Sequence, residues 1–223
     1  MEGHTLITTA DGSHSLVSEQ FKVAYHSHHG AIQETNHVFI EAGMLFQIKR
    51  NQPLRILELG LGTGLNTLVT YLKAAESAIP VSYTSLEQFP IPWELAEQCN
   101  FLEQLDAPEA LPSFQKIHCG SFEDWHSLSP DFRFRKIQED AAAFSSDDRF
   151  TLIYYDAFAP ESQPKLWTEE IFRTMYGLLE DGGVLVTYCA KGVVKRALKA
   201  VGFTIESIPG PPGKREMTRA IKL

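Results

Sequence analysis

The 223-residue sequence has only three cysteines, Cys99, Cys119 and Cys189, an odd and widely scattered set. No disulfide framework and no CxxC zinc pattern can be built from them, which points to a reducing compartment. Long apolar runs are also missing: none approaches the roughly 20 residues that span a bilayer, so no membrane partner is expected. The segment MEGHTLITTADG has neither the charged n-region nor the apolar h-region of a signal peptide. Repeats and low-complexity tracts are lacking, which excludes solenoids and propellers. Positive charge is scarce, with 20 Lys+Arg against 28 Asp+Glu and a formal net charge of −8. What is present is ordinary for a globular chain: 43% hydrophobic and 22% charged residues. A chain this long buries roughly 70% of its unfolded surface without covalent staples. The expectation is a cytoplasmic protein forming a single domain over residues 1–223.

The scarce positive charge is concentrated. From Lys191 onward there are eight basic residues and two acidic ones, whereas the first 190 residues carry 12 basic and 26 acidic. A basic C-terminal cluster on an acidic body keeps a polyanionic partner open, against the plainer reading of a solvated helix face.

Short apolar runs bounded by turn residues predict strands at 53–60, 81–87, 149–156 and 182–190. Helical spacing predicts helices over 66–76, 167–183 and 191–203. This alternation implies an α/β fold with a doubly wound, Rossmann-like parallel sheet. Residues 203–208 and 217–223, flanking the turn PGPPG, read as an antiparallel hairpin at the sheet edge. Residues 90–131 break the alternation and read as a mostly helical insertion before a strand around 133–138. Residues 1–50 also fall outside it, as a segment capping the site.

The first strand runs into Glu58-Leu59-Gly60-Leu61-Gly62-Thr63-Gly64-Leu65-Asn66. Glycines at the carboxyl end of a first parallel strand let a ligand approach the backbone and the next helix's N–H groups. A dinucleotide fingerprint needs glycine at 65, where leucine stands, and the acid at 58 suits a cationic adenosyl ligand better than a pyrophosphate. Glu87, at the end of the next strand, can accept hydrogen bonds from ribose hydroxyls. Asp140, after a third strand, can reach an adenine amino group. Any one of these acids could simply cap a turn. Together they describe S-adenosylmethionine across the top of a class I methyltransferase sheet, with Glu58, Gly60, Gly62, Gly64, Asn66, Glu87 and Asp140 as its candidate binding residues.

The strand TLIYY ends in Asp156-Ala157-Phe158-Ala159-Pro160. In a doubly wound sheet this strand neighbours the first one, which puts Asp156 beside the transferable methyl. A carboxylate followed by an aromatic suits methylation of an amine: the acid orients the nitrogen and takes its proton, and the ring holds the planar part of the acceptor.

DAFAP, LWTEEIF, GGVLVTY, KGVVKRALKAVGF and KREM, with YHSHHGAIQETNHVFIEAG (25–43) and LELGLGTGLN (57–66) upstream, resemble one family closely. It is the methyltransferase domain of the tRNA 5-methylaminomethyl-2-thiouridine enzymes (MnmC-like). The resemblance covers nearly the whole chain and is poorest over 95–131. It implies transfer of a methyl group from S-adenosylmethionine to the amine of 5-aminomethyl-2-thiouridine at the wobble position of a tRNA. In bifunctional members a flavin-dependent oxidase follows this domain. No second glycine-rich strand–helix signature occurs here, so the resemblance implies a stand-alone form without FAD, served by a separate enzyme that makes the aminomethyl uridine.

On this reading Asp156 is the catalytic residue and no metal is needed. Phe158, Trp167 and, more weakly, Tyr155 are candidates to stack on the wobble base, although aromatics in such places are often plain core. Lys191, Lys195, Arg196, Lys199, Lys214 and Arg215 would meet the phosphates of the anticodon arm. His26, His28, His29 and His37 match no common zinc spacing. Tyr25 to Asn36 instead read as a loop over the cofactor, with Glu34 and Gln33 as polar contacts. The alternatives are a class I methyltransferase of a small-molecule or protein amine, and a non-catalytic adenosyl- or RNA-binding module. A nicotinamide-dependent oxidoreductase is disfavoured by Leu65 and by the acid at 58.

Overall fold

A computed structural model describes residues 3–50 and 53–223; Met1 and Glu2 of the 1–50 segment, and Asn51 and Gln52, lie outside the described residues. The chain begins with a small antiparallel sheet of β1 (His4–Thr8), β2 (His14–Ser18) and β3 (Val23–Ala24). A continuous helical stretch follows: α1 (Ala31–Thr35), a π-helical middle (Asn36–Met44) and α2 (Leu45–Lys49). Then come β4 (Leu54–Leu59), α3 (Leu65–Ser77) and β5 (Val81–Leu86). Residues 90–131 hold short helices α4 (Trp93–Ala96), α5 (Phe101–Gln104) and α6 (Leu111–Cys119), then strand β6 (His126–Ser129). The remainder is β7 (Phe132–Ile137), β8 (Phe150–Tyr155), α7 (Glu169–Leu178), β9 (Leu179–Thr187), α8 (Gly192–Ala200), β10 (Thr204–Pro209) and β11 (Glu216–Ile221).

Eight strands form one sheet in the order β10-β11-β9-β8-β4-β5-β7-β6. β7, β5, β4, β8 and β9 are parallel; β6 and β11 run against their neighbours. The chain leaves β4 towards β5 on one side and returns with β8 on the other, so the switch point lies between β4 and β8. In open α/β sheets that crevice, at the carboxyl ends of the strands, is where ligands bind.

Central strands with apolar residues on both faces must be covered on both. Ile56, Tyr83, Leu152 and Tyr154 pack under Val38, Phe39, Met44, Leu68 and Phe114 on one face. Leu57, Leu59, Ile153, Tyr155 and Leu185 pack under Phe172, Met175, Val194 and Leu198 on the other. The N-terminal segment is therefore more than a cap, since Val38, Phe39 and Met44 belong to the sheet's own core.

One sequence expectation needs correction. The helix predicted to 183 ends at Leu178, because fully buried Leu179 already pairs with Phe150 in the sheet. Glu180–Gly183 form a bulge within β9, tied by the Gly182 N–H to the Lys222 carbonyl at 2.8 Å. The C-terminal antiparallel hairpin lies at the sheet edge as expected, with β11 between β10 and β9.

Candidate active site

At the carboxyl ends of β4, β5 and β8 lies a cleft lined by Gly60–Thr63, Glu87, Phe89, Asp156–Phe158 and Gln163, together with Phe21, Tyr25 and His26. Gly62 is the point of the loop that faces the Tyr25 ring. Its φ is +50°, and an added Cβ would lie 2.8 Å from the Tyr25 ring. Its N–H donates to Glu87 Oε2 at 2.9 Å, while Glu87 Oε1 accepts the Phe89 N–H at 2.8 Å. Two histidines hold Thr63: its hydroxyl pairs with His26 Nε2 at 2.6 Å and its carbonyl with His118 Nε2 at 3.1 Å. Burial pushes His26 and His118 down to about 4, so both are neutral at pH 7. No Lys or Arg lines this cleft among the described residues, and Glu87 and Asp156 both border it. That charge pattern fits a cationic adenosyl sulfonium and does not fit a pyrophosphate.

Asp156 stands at the end of β8. The Asn66 side-chain N–H donates to its Oδ2 at 2.8 Å, and Thr35 Oγ1 donates to Asn66 Oδ1 at 2.8 Å, which fixes the amide's orientation. Burial, then the nearby Glu34 carboxylate, push Asp156 well above the usual carboxylate range. Beside it opens a second cavity, bordered by Tyr25, His26, Glu34, Asp156, Phe158, Tyr188 and Lys214. His26, Asp156 and Phe158 line both spaces, so the two meet at those residues. Two carboxylates beside one cavity can hold a cationic group and accept its proton.

Gly60, Gly62, Glu87, Asp156 and Phe158 thus come together, with Glu34 in the adjoining cavity. Gly64 serves from behind, opening α3, where a Cβ would lie 2.6 Å from His118. Asn66 does not line the cleft; it grips Asp156. Glu58 differs more: it is fully buried beneath the loop, its Oε2 accepting from Ser85 at 2.8 Å and Thr67 at 3.2 Å. Its Oε1 has no partner, and burial raises the group to about 7. Asp140 is exposed and accepts the Ala142 N–H at 2.9 Å, capping a turn, and is not among the residues that line the cleft. Trp167 and Tyr155 are core: they pack edge to face at 5.0 Å, and Trp167 Nε1 donates to the Phe158 carbonyl at 2.8 Å. Gln33 points out to solvent.

Phe21, Phe89, Gln163 and Tyr188 were not singled out from the sequence, while Tyr25 and His26 entered only through the loop assigned to 25–36 and the histidine group. The aromatic at position 89, shortly after Glu87, was the available signal.

The basic cluster is largely paired. Lys195 meets Glu216 at 2.8 Å, Lys214 meets Glu34 at 2.6 Å, Arg219 meets Glu206 at 2.7 Å, and Lys191 pairs with Glu161. Among the described residues, Arg196, Lys199 and Arg215 have no carboxylate within ion-pair distance.

With this geometry in hand, comparison with known proteins is informative. Residues 122–223 match the model of a family described as S-adenosyl-L-methionine-dependent methyltransferase. A tRNA 5-methylaminomethyl-2-thiouridine biosynthesis bifunctional protein MnmC from Leptospira interrogans is 31% identical over 212 residues, covering 90% of this chain and 33% of the relative. Over that span the chain is similar to MnmC. An MnmC from Marinomonas is 28% identical over 218 residues, covering 90% of this chain and 31% of its own. The chain therefore spans about a third of the length of these MnmC relatives. In fold it is similar to MNMC2 from Aquifex aeolicus, with a TM-score of 0.76 at 23% identity, covering 99% of this chain and 71% of that one. The MnmC-like sheet is that of the class I S-adenosylmethionine-dependent methyltransferases.

Proposed function

We propose that this chain transfers a methyl group from S-adenosylmethionine to the amine of 5-aminomethyl-2-thiouridine at the wobble position of tRNA. The observation that carries the reading is the junction of two spaces: a cation-free cleft over the glycine loop, and beside it a cavity bordered by Glu34 and Asp156. Likeness to the MnmC proteins, named for tRNA 5-methylaminomethyl-2-thiouridine biosynthesis, supplies the acceptor's identity.

Glu87 and the backbone of Gly60–Gly62 would hold the donor, which when bound supplies an electrophilic methyl on a sulfonium. The acceptor amine arrives largely protonated and is inert in that form. Asp156, raised in proton affinity and fixed by Asn66, accepts that proton and keeps the lone pair aligned across the junction. Phe158, packed at 5.1 Å from both Phe21 and Tyr25, offers a ring to the uracil. The anticodon loop is single-stranded, so splaying out the wobble base costs less than flipping one from a duplex. Arg196, Lys199 and Arg215 are the cations left to meet phosphates, and a separate enzyme would supply the aminomethyl group. Mass spectrometry of wobble nucleosides from cells lacking the protein tests the proposal. Accumulated 5-aminomethyl-2-thiouridine is expected; an unchanged nucleoside profile, with transfer in vitro to a small-molecule amine, would overturn it.

A further inference from the structure

We propose that Lys214 is the specificity-determining residue of the acceptor site, admitting an amine that arrives joined to a phosphate and disfavouring the same amine without one. The inference rests on the acceptor proposed above. Lys214 borders two spaces at once: the carboxylate cavity, and a neighbouring open groove lined by Pro160, Tyr188, Lys191, Arg215 and Glu216. Its ammonium holds Glu34 Oε1 at 2.6 Å and lies 3.9 Å from the centre of the Tyr188 ring. Glu34 is more than nine-tenths buried, and its other oxygen accepts the Ser27 N–H at 2.9 Å. The Tyr188 hydroxyl donates to the Ala157 carbonyl at 2.9 Å, which fixes the ring. A buried carboxylate beside a fixed aromatic face is a seat for an ammonium, and the protein's own lysine occupies it.

Exchange at that seat depends on what else the incoming molecule carries. A bare amine that displaces Lys214 leaves its ammonium beside Arg215, in a groove whose one lining carboxylate, Glu216, is already held by Lys195 at 2.8 Å and whose Lys191 already holds Glu161. An amine on a nucleotide brings a phosphate, to which Lys214 can turn within the groove, so that every charge is paired again. The groove side thus reads the backbone and the cavity side reads the amine, with one side chain serving both.

The test compares wild type with Lys214→Met and Lys214→Arg, using 5-aminomethyl-2-thiouridine both as a free nucleoside and within an anticodon stem-loop RNA. Lys214→Met is expected to lower the RNA-to-nucleoside ratio of kcat/KM at least tenfold, raising the nucleoside value while lowering that of the RNA. Lys214→Arg should keep the ratio. A merely structural lysine would lower both values together, so an unmoved ratio in a variant that still binds the donor overturns the inference. If Lys214→Met does not fold, wild type decides: a 5′- or 3′-phosphate on the nucleoside should raise kcat/KM, and no gain overturns the inference. Wild type that binds the donor but leaves the RNA unmethylated would overturn the proposed acceptor instead.

Discussion

Asp156 and Glu58 are two acids raised by burial to different ends. Asp156 borders the space where an amine would stand, and Asn66 can donate equally well to an amide oxygen. Asp156→Asn should therefore leave donor affinity by calorimetry within about twofold while lowering kcat by about 10²–10⁴, the range for a lost general base. Glu58 borders nothing a ligand could reach. Its folded pKa of about 7 lies above the ordinary 4.5, so the folded state holds the proton more tightly. The stability that this gives is complete below pH 4.5 and is lost as pH rises through 7. Relative to wild type, Glu58→Gln should gain stability between pH 5 and pH 8, by on the order of 3 kcal/mol. A thermal-melt gap that stays flat across that range would refute the assignment. The sequence marks both residues by their place at a strand end, but whether a carboxylate faces the cleft or the core depends on its neighbours. For Glu58 those are Ser85 and Thr67, whose hydroxyls are spoken for only in three dimensions.

At the scale of elements, β4, its glycine loop and α3 were legible because a buried parallel strand and an amphipathic helix each write their period into adjacent residues. Tyr25 and His26 were legible only as part of a segment expected over the cofactor, since they lie about 35 residues upstream in a loop with no period to show which side chains reach the site. The end of α7 was misread for a related reason: Gly182 and Gly183 look like a helix stop, yet they serve a bulge that lets β9 rejoin the sheet. The true boundary at the other end is Thr168, whose hydroxyl accepts the Ile171 N–H at 3.4 Å. Thr168→Ala should cost about 1 kcal/mol, read as a drop of about 2–4 °C in Tm, with transfer activity unchanged. In the glycine loop both readouts should move. Gly62→Ala forces a Cβ against the Tyr25 ring at a left-handed φ, so donor affinity should fall at least tenfold and Tm by at least about 2–4 °C.

For the whole molecule the governing quantity is where the unpaired positive charge lies. The count of eight basic residues overstated it, because sequence cannot show that Lys191, Lys195, Lys214 and Arg219 each meet a carboxylate. If Arg196 and Arg215 contact RNA phosphates, reversing both to glutamate should weaken stem-loop binding at least tenfold at low salt. The log–log salt slope should become shallower by about 2, with donor affinity unchanged. An unchanged slope would place the RNA elsewhere on the surface.

The position of β11 has a consequence for how the molecule comes into being. β9 and β10 precede it in the chain yet hydrogen-bond through it, so until residues 216–221 have been synthesised each of those strands carries a bare edge. Glu34 likewise waits for Lys214, 180 residues further along the chain. During translation, then, the acceptor cavity would take shape only once Lys214 has emerged, and a ribosome stalled before residue 216 would leave a nascent chain with open edges prone to pair with one another.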